Sequence, residues 1–309
     1  MINVQFAARP ERWDSYGPAL TKAFEAADLT VDLRQDHAPE EVDYIVYAPN
    51  SDLQDFTPYT RCKAVLNLWA GVEAIVGNKT LTMPLARMVD FGLTQGMVEW
   101  VTGHVLRHHL DIDYNLERQN GVWDKHLPPL SRDRPVTILG IGELGSACAQ
   151  AVAGLGFPVT GWSRSPKEVA GITCLSGEKG LRQALETAQI LVLLLPLTKG
   201  TENILNADSL ARMPKGAYII NPGRGPLIDD TALLAALDQG QIARATLDVF
   251  REEPLPSDHP YWSHPQVTVT PHIAAETRPD TAAEVIADNI DRSERGARLR
   301  YLVDRNAGY

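Results

Sequence analysis

An arginine, a glutamate and a histidine each follow an apolar run in the second half of the chain. Arg224 lies in Asn221-Pro222-Gly223-Arg224-Gly225 after residues 217–220, Glu253 in the segment 248–254 after 245–248, and His272 in Thr270-Pro271-His272-Ile273-Ala274 after 267–270. If the runs are parallel strands, the three side chains leave the sheet at strand carboxyl ends, where open α/β sheets bind ligands. They can then converge on one crevice. The combination is chemically coherent. A fixed cation suits a carboxylate ligand, and a carboxylate beside an imidazole raises its proton affinity, as an acid/base group requires.

An anion site stands earlier in the chain. Gly140-Ile141-Gly142-Glu143-Leu144-Gly145 fits G-x-G-x-x-G, follows the apolar run 136–139 and opens a helical stretch, 146–155. In that context the first glycine permits a tight turn, the second lets the backbone approach a pyrophosphate, and the third lets helix and strand pack closely. The helix N-terminus adds N–H groups and the positive end of its dipole. The next run, 159–162, ends in Ser163-Arg164-Ser165-Pro166-Lys167, about twenty residues on, where a carboxylate usually receives the ribose hydroxyls of NAD. No carboxylate stands in that segment. A guanidinium, an ammonium and two hydroxyls suit instead the additional phosphate of NADP. A solvated basic turn is the competing reading.

From residue 136 to about 274 the pattern of strand, turn and helix repeats, with strands at 136–139, 159–162, 190–195, 217–220, 245–248 and 267–270. That predicts a doubly wound parallel sheet. The first hundred residues alternate in the same way: strands at 2–6, 31–33, 44–47 and 64–68 and a helix around 19–27 predict a smaller parallel α/β unit. Apolar residues at helical spacing from about 95 to 117 predict one long helix, followed by the polar extension RQNGVWDKHLPP, and 278–298 reads as a further helix.

A chain of 309 residues accommodates two such domains. Its net charge of -10 opposes nucleic acid and anionic membrane as partners. Three scattered cysteines predict free thiols in a reducing compartment. The N-terminus lacks the pattern of a secretion signal, and the longest apolar run, 190–195, is too short to span a bilayer. Cytoplasm is the expected location. His104 and His108 lie four apart on the long helix, but no third ligand accompanies them, so no metal site is expected.

Taken together, GIGELG, LLLPLTKGTENIL, AYIINPGRGPLID, ATLDVFREEPLP and VTPHIAA resemble the D-isomer-specific 2-hydroxyacid dehydrogenases, over roughly residues 64 to 280. The SRS segment and the ending VDRNAGY look most like the glyoxylate/hydroxypyruvate reductase branch. The resemblance implies an α/β fold of two domains. One is a Rossmann-type nucleotide domain at 98–277, and the other a flavodoxin-like substrate domain at 1–97 completed by 278–309. It implies reduction of a small 2-keto acid with NADP(H), NAD(H) being possible, by a homodimer whose extension near 115–130 reaches across. Arg224 then resembles the substrate-binding arginine, Glu253 the carboxylate paired with the histidine, and His272 the acid/base. Gly140, Gly142, Glu143, Leu144, Gly145, Ser163, Arg164, Ser165, Lys167, Pro196 and Asp248 would meet the cofactor, Asp248 near the nicotinamide carboxamide. The loop Trp69-Ala70-Gly71-Val72 resembles the segment that holds the substrate carboxylate with backbone N–H groups. It carries tryptophan where the family has a small residue. Two competing readings are a relative acting on a larger 2-keto acid and a nucleotide-sensing protein that only binds.

Overall fold

The computed structural model describes residues 1–305, 307 and 308, so positions 306 and 309 of the ending VDRNAGY lie outside the described residues. The chain divides into two compact units, one made of residues 1–93 and 276–309, the other of 94–275.

In the first unit, β1 (Ile2–Ala7), β2 (Val31–Arg34), β3 (Tyr44–Tyr47), β4 (Ala64–Asn67) and β5 (Leu85–Ala86) form a parallel sheet in the order β2-β1-β3-β4-β5. YIVY and AVLN are buried along their whole length, as inner strands covered on both faces must be. Phe6, Val46 and Leu66 pack under α1 (Trp13–Ala26) and the C-terminal helix Pro279–Glu294, through Leu20, Phe24, Ile286 and Ile290. Ile45, Tyr47 and Val65 face a second cluster with Phe56, Ile75 and Leu81. The two-residue β5 has no sequence signature, being too short to show a period.

In the second unit, β6 (Val136–Leu139), β7 (Val159–Ser163), β8 (Thr173–Ser176), β9 (Ile190–Leu193), β10 (Ala217–Asn221), β11 (Ile242–Leu247) and β12 (Val267–Val269) form a parallel sheet in the order β12-β11-β10-β9-β6-β7-β8. The chain reverses direction of travel between β6 and β9, the topological switch point at which such sheets bind ligands. The edge strand β8, half exposed and without an apolar run, is absent from the sequence expectation.

The long helix expected to run to 117 ends earlier. α2 spans Phe91–His109, Asp111 takes a left-handed backbone (φ 50°), and α3 restarts at Ile112–Glu117. Contacts remote in sequence hold that residue: its carboxylate accepts from the Tyr218 hydroxyl at 2.8 Å and lies 2.9 Å from His126 Nε2. His108 is also structural. Its Nε2 lies 3.0 Å from Thr246 Oγ1 and its ring stacks on Tyr218. Burial pushes its pKa down to about 3, keeping it neutral.

Candidate active site

The glycine loop joins β6 to α4 (Glu143–Gly154). Gly140 sits at φ 104°, and a Cβ there would lie 2.4 Å from Leu194 O; a Cβ on Gly145 would lie 1.8 Å from Gly140 O. Both positions exclude any side chain. Gly142 differs, because a Cβ there would meet nothing within 4 Å and would project into the open space over the loop. Among the described residues no side chain caps α4, so the N–H groups of its first turn, on Glu143, Leu144 and Gly145, remain available to an anion. A pyrophosphate fits this cradle. Gly145→Ala should cost on the order of 3 kcal/mol or more, lowering Tm by roughly 6–12 °C for a chain of this size. An unchanged melting curve would show that the turn can relax.

At the end of β7 the Ser163 hydroxyl donates to Ser165 O at 2.7 Å. It is used to shape the turn, which leaves Ser165 as the exposed hydroxyl beside Arg164. Lys167 folds back, its Nζ donating to Ile141 O at 3.3 Å. The ammonium therefore stands against the glycine loop. Pro196 follows β9, and its carbonyl accepts from Thr201 Oγ1 at 2.7 Å.

Arg224 follows β10 in a turn tied by Asn221. The Asn221 side chain donates to Arg224 O at 3.0 Å and accepts from Gly223 N at 3.1 Å. The Arg224 Nη1 donates to Gly223 O at 2.6 Å, holding the guanidinium against its own turn. Gly225 is required, since a Cβ there would lie 2.0 Å from the carbonyl carbon of Phe250. Glu253 lies beyond β11, where its Oε1 accepts from Phe250 N at 2.9 Å and its Oε2 meets His272 Nδ1 at 2.7 Å. The hydrogen bond to Glu253 raises the pKa of His272, burial opposes the shift, and the charges of Glu253 and Asp248 add to it. For Glu253, burial alone would raise the pKa. The bonds from His272 and Phe250, with the positive charges of His272 and Arg224, outweigh it and hold the carboxyl below its usual range.

His272 has a left-handed backbone (φ 54°), unusual for a residue with a side chain. Asp248 holds it there. Its fully buried carboxylate accepts from Thr270 Oγ1 (2.5 Å), Ile273 N (2.9 Å) and Ala274 N (2.9 Å), while its carbonyl accepts from His272 N (2.8 Å). The family resemblance implies a place for Asp248 near the nicotinamide carboxamide, a reading compatible with these bonds. The structure commits both carboxylate oxygens to the histidine loop. Asn221 had no sequence signal beyond its place in the Asn-Pro-Gly-Arg-Gly run.

In the other unit, Trp69-Ala70-Gly71-Val72 follows β4. Its carbonyls are engaged: Leu68 O by Thr277 Oγ1, Trp69 O by Met88 N and the Asn67 side chain, Gly71 O by Asn67, and Val72 O by Ile75 N and Val76 N. Among the described residues the N–H groups of Ala70, Gly71 and Val72 have no acceptor. N–H groups left free in this way are open to an anion. Trp69 is 41% exposed beside them.

The chain is similar to known proteins over most of its length. Residues 102–274 match the family profile "D-isomer specific 2-hydroxyacid dehydrogenase, NAD binding domain". Glyoxylate/hydroxypyruvate reductase A of Yersinia enterocolitica is 43% identical over 256 residues, 80% of this chain and 82% of the relative. A D-isomer specific 2-hydroxyacid dehydrogenase from Xanthobacter autotrophicus Py2, solved with NADPH and MES, is 38% identical with a TM-score of 0.93, covering 100% of this chain and 99% of that one. An NADPH-dependent glyoxylate/hydroxypyruvate reductase from Sinorhizobium meliloti, solved with NADP and sulfate, is 32% identical with a TM-score of 0.86, at 100% and 99% coverage. The glycine cradle, the histidine–glutamate pair and these matches together make the chain a member of the D-isomer specific 2-hydroxyacid dehydrogenases, with an NAD binding domain at residues 102–274.

Proposed function

We propose that the chain reduces small 2-keto acids, glyoxylate and hydroxypyruvate being the first candidates, to 2-hydroxy acids with NADPH, as a cytoplasmic homodimer. The observation that carries this reading is the His272–Glu253 pair at 2.7 Å, with Arg224 close enough for its charge to act on both. When bound, a reduced nicotinamide supplies the hydride that adds to the keto carbon. His272 supplies the proton. Its Nδ1 is engaged by Glu253, so Nε2 is the nitrogen left to donate to the substrate oxygen. Arg224 holds the carboxylate and the carbonyl oxygen and lowers the cost of the negative charge developing there. In the other unit, the N–H groups of Ala70, Gly71 and Val72, with Trp69 exposed beside them, are a further place at which a carboxylate can be held. Asp248 keeps the His272 loop in register.

The Xanthobacter and Sinorhizobium relatives, solved with NADPH and NADP, support the cofactor preference. So does the basic turn Ser163-Arg164-Ser165 with Lys167 folded against the glycine loop. Activity with glyoxylate, hydroxypyruvate, pyruvate and phenylpyruvate, each with NADPH and NADH, tests the whole reading. Turnover confined to phenylpyruvate would favour the larger-substrate alternative, and no turnover with any pair would favour a binding protein. Arg164→Ala should weaken NADPH about tenfold and leave NADH nearly unchanged, because only NADPH carries the extra phosphate. Equal weakening of both cofactors would remove Arg164 from phosphate recognition.

A further inference from the structure

Asn67, the last residue of β4, is 1% exposed and has no part in the chemistry assigned to the loop beyond it. Its Nδ2 donates to Trp69 O at 2.8 Å and to Gly71 O at 3.0 Å. Its Oδ1 is buried with no partner among the described residues. A side chain serving packing alone would leave no buried acceptor unmet, because that costs stability an apolar residue would keep. The value of the amide therefore lies in what its nitrogen holds.

The peptide bonds of this loop are trans, and in a trans peptide the C=O and N–H point to opposite sides. Drawing the carbonyls of Trp69 and Gly71 onto one nitrogen turns the N–H groups of Ala70 and Val72 together toward the opposite side. Neither N–H has an acceptor among the described residues. Two donors on alternate residues, both on the side away from the amide, can meet the two oxygens of a carboxylate. Met88 N and Thr277 Oγ1 each hold one carbonyl of the segment, but Asn67 alone among the described residues bridges two.

We propose that Asn67 is a positioning residue for the substrate carboxylate: it touches no substrate, and sets the direction of the paired Ala70 and Val72 N–H groups. The proposal rests on reading this loop as a carboxylate site. Three variants of the full chain separate the two ideas. Asn67→Leu and Asn67→Ala both remove the donor; the second does so with a smaller side chain should leucine not fold. Ala70→Pro deletes one of the N–H groups directly. At saturating NADPH, both Asn67 variants should raise the KM for glyoxylate at least about tenfold, with kcat within about threefold, and Ala70→Pro should do the same. The Kd for NADPH should stay at the wild-type value; Tm should fall in the Asn67 variants, which leave the Gly71 carbonyl without its donor, and is not by itself the deciding readout. An unchanged KM in the Asn67 variants beside a raised KM in Ala70→Pro would overturn the role of Asn67 and spare the loop. An unchanged KM in all three would remove the loop itself from carboxylate binding. If the Asn67 variants raise KM while Ala70→Pro does not, or lose kcat, NADPH affinity and Tm together, the residue is structural and the proposal fails.

Discussion

His272→Ala should lower turnover of a 2-keto acid by at least about a hundredfold while leaving the Kd for NADPH unchanged. The histidine makes its side-chain bond to Glu253 and is held by Asp248 through backbone groups, so its loss removes the proposed proton donor without disturbing the glycine cradle. The pH dependence has a defined sign. Glu253 raises the pKa of His272 above the ordinary histidine value near 6.5. Reduction, which needs the protonated ring, should therefore be full at and below that ordinary value and fall as pH rises through the raised one. Oxidation of the hydroxy acid should rise over the same interval. Glu253→Gln removes the carboxylate, so the falling limb for reduction should move to lower pH. A limb that stays in place would show that another group carries the proton.

The same pair contributes to stability within a bounded window. The raised histidine stabilises the fold fully below its unfolded pKa, and that contribution is lost as pH rises through its folded value. The depressed Glu253 contributes above its unfolded pKa and loses that contribution as pH falls through its folded value. Both contributions are present between about 4.5 and 6.5. With the His272 side chain 52% exposed, solvent screening keeps the pair's effect on Tm small. Its main consequence is for the proton.

Arg224→Lys should reduce kcat/KM on the order of a hundredfold or more, with KM raised and kcat lowered together. The guanidinium is held against its turn by the bond from Nη1 to Gly223 O, and its planar fork can address a carboxylate with two parallel N–H groups. An ammonium on a flexible stem offers neither the plane nor the tether, so ground-state and transition-state contacts weaken together. Retained efficiency in Arg224→Lys would assign the carboxylate wholly to the Ala70, Gly71 and Val72 N–H groups. A rise in KM alone would mean that Arg224 binds the substrate without stabilising the charge that develops during reduction.

The sequence by itself determined the features that depend on residue type and short-range spacing. The glycine loop was legible because Gly140 and Gly145 stand where no other side chain fits. The strands β3 and β6 were placed to the residue, since continuous apolar runs bounded by turns have one good reading in a parallel sheet. Arg224, Glu253 and His272 could be singled out because each follows such a run. Tertiary structure decided whatever depends on a partner remote in sequence. The break at Asp111 is held by Tyr218, 107 positions away, and helical periodicity cannot register that bond. The left-handed turn at His272 is held by the Asp248 carboxylate through groups 22 to 26 positions on. The fold-back of Lys167 onto Ile141 and the donation of Ser163 to its own turn likewise follow from where backbone carbonyls come to lie. Asn67 is the sharpest case. Its identity is plain in the chain, but the two carbonyls that give it meaning are aligned only once β4 has delivered the next four residues to the end of its sheet.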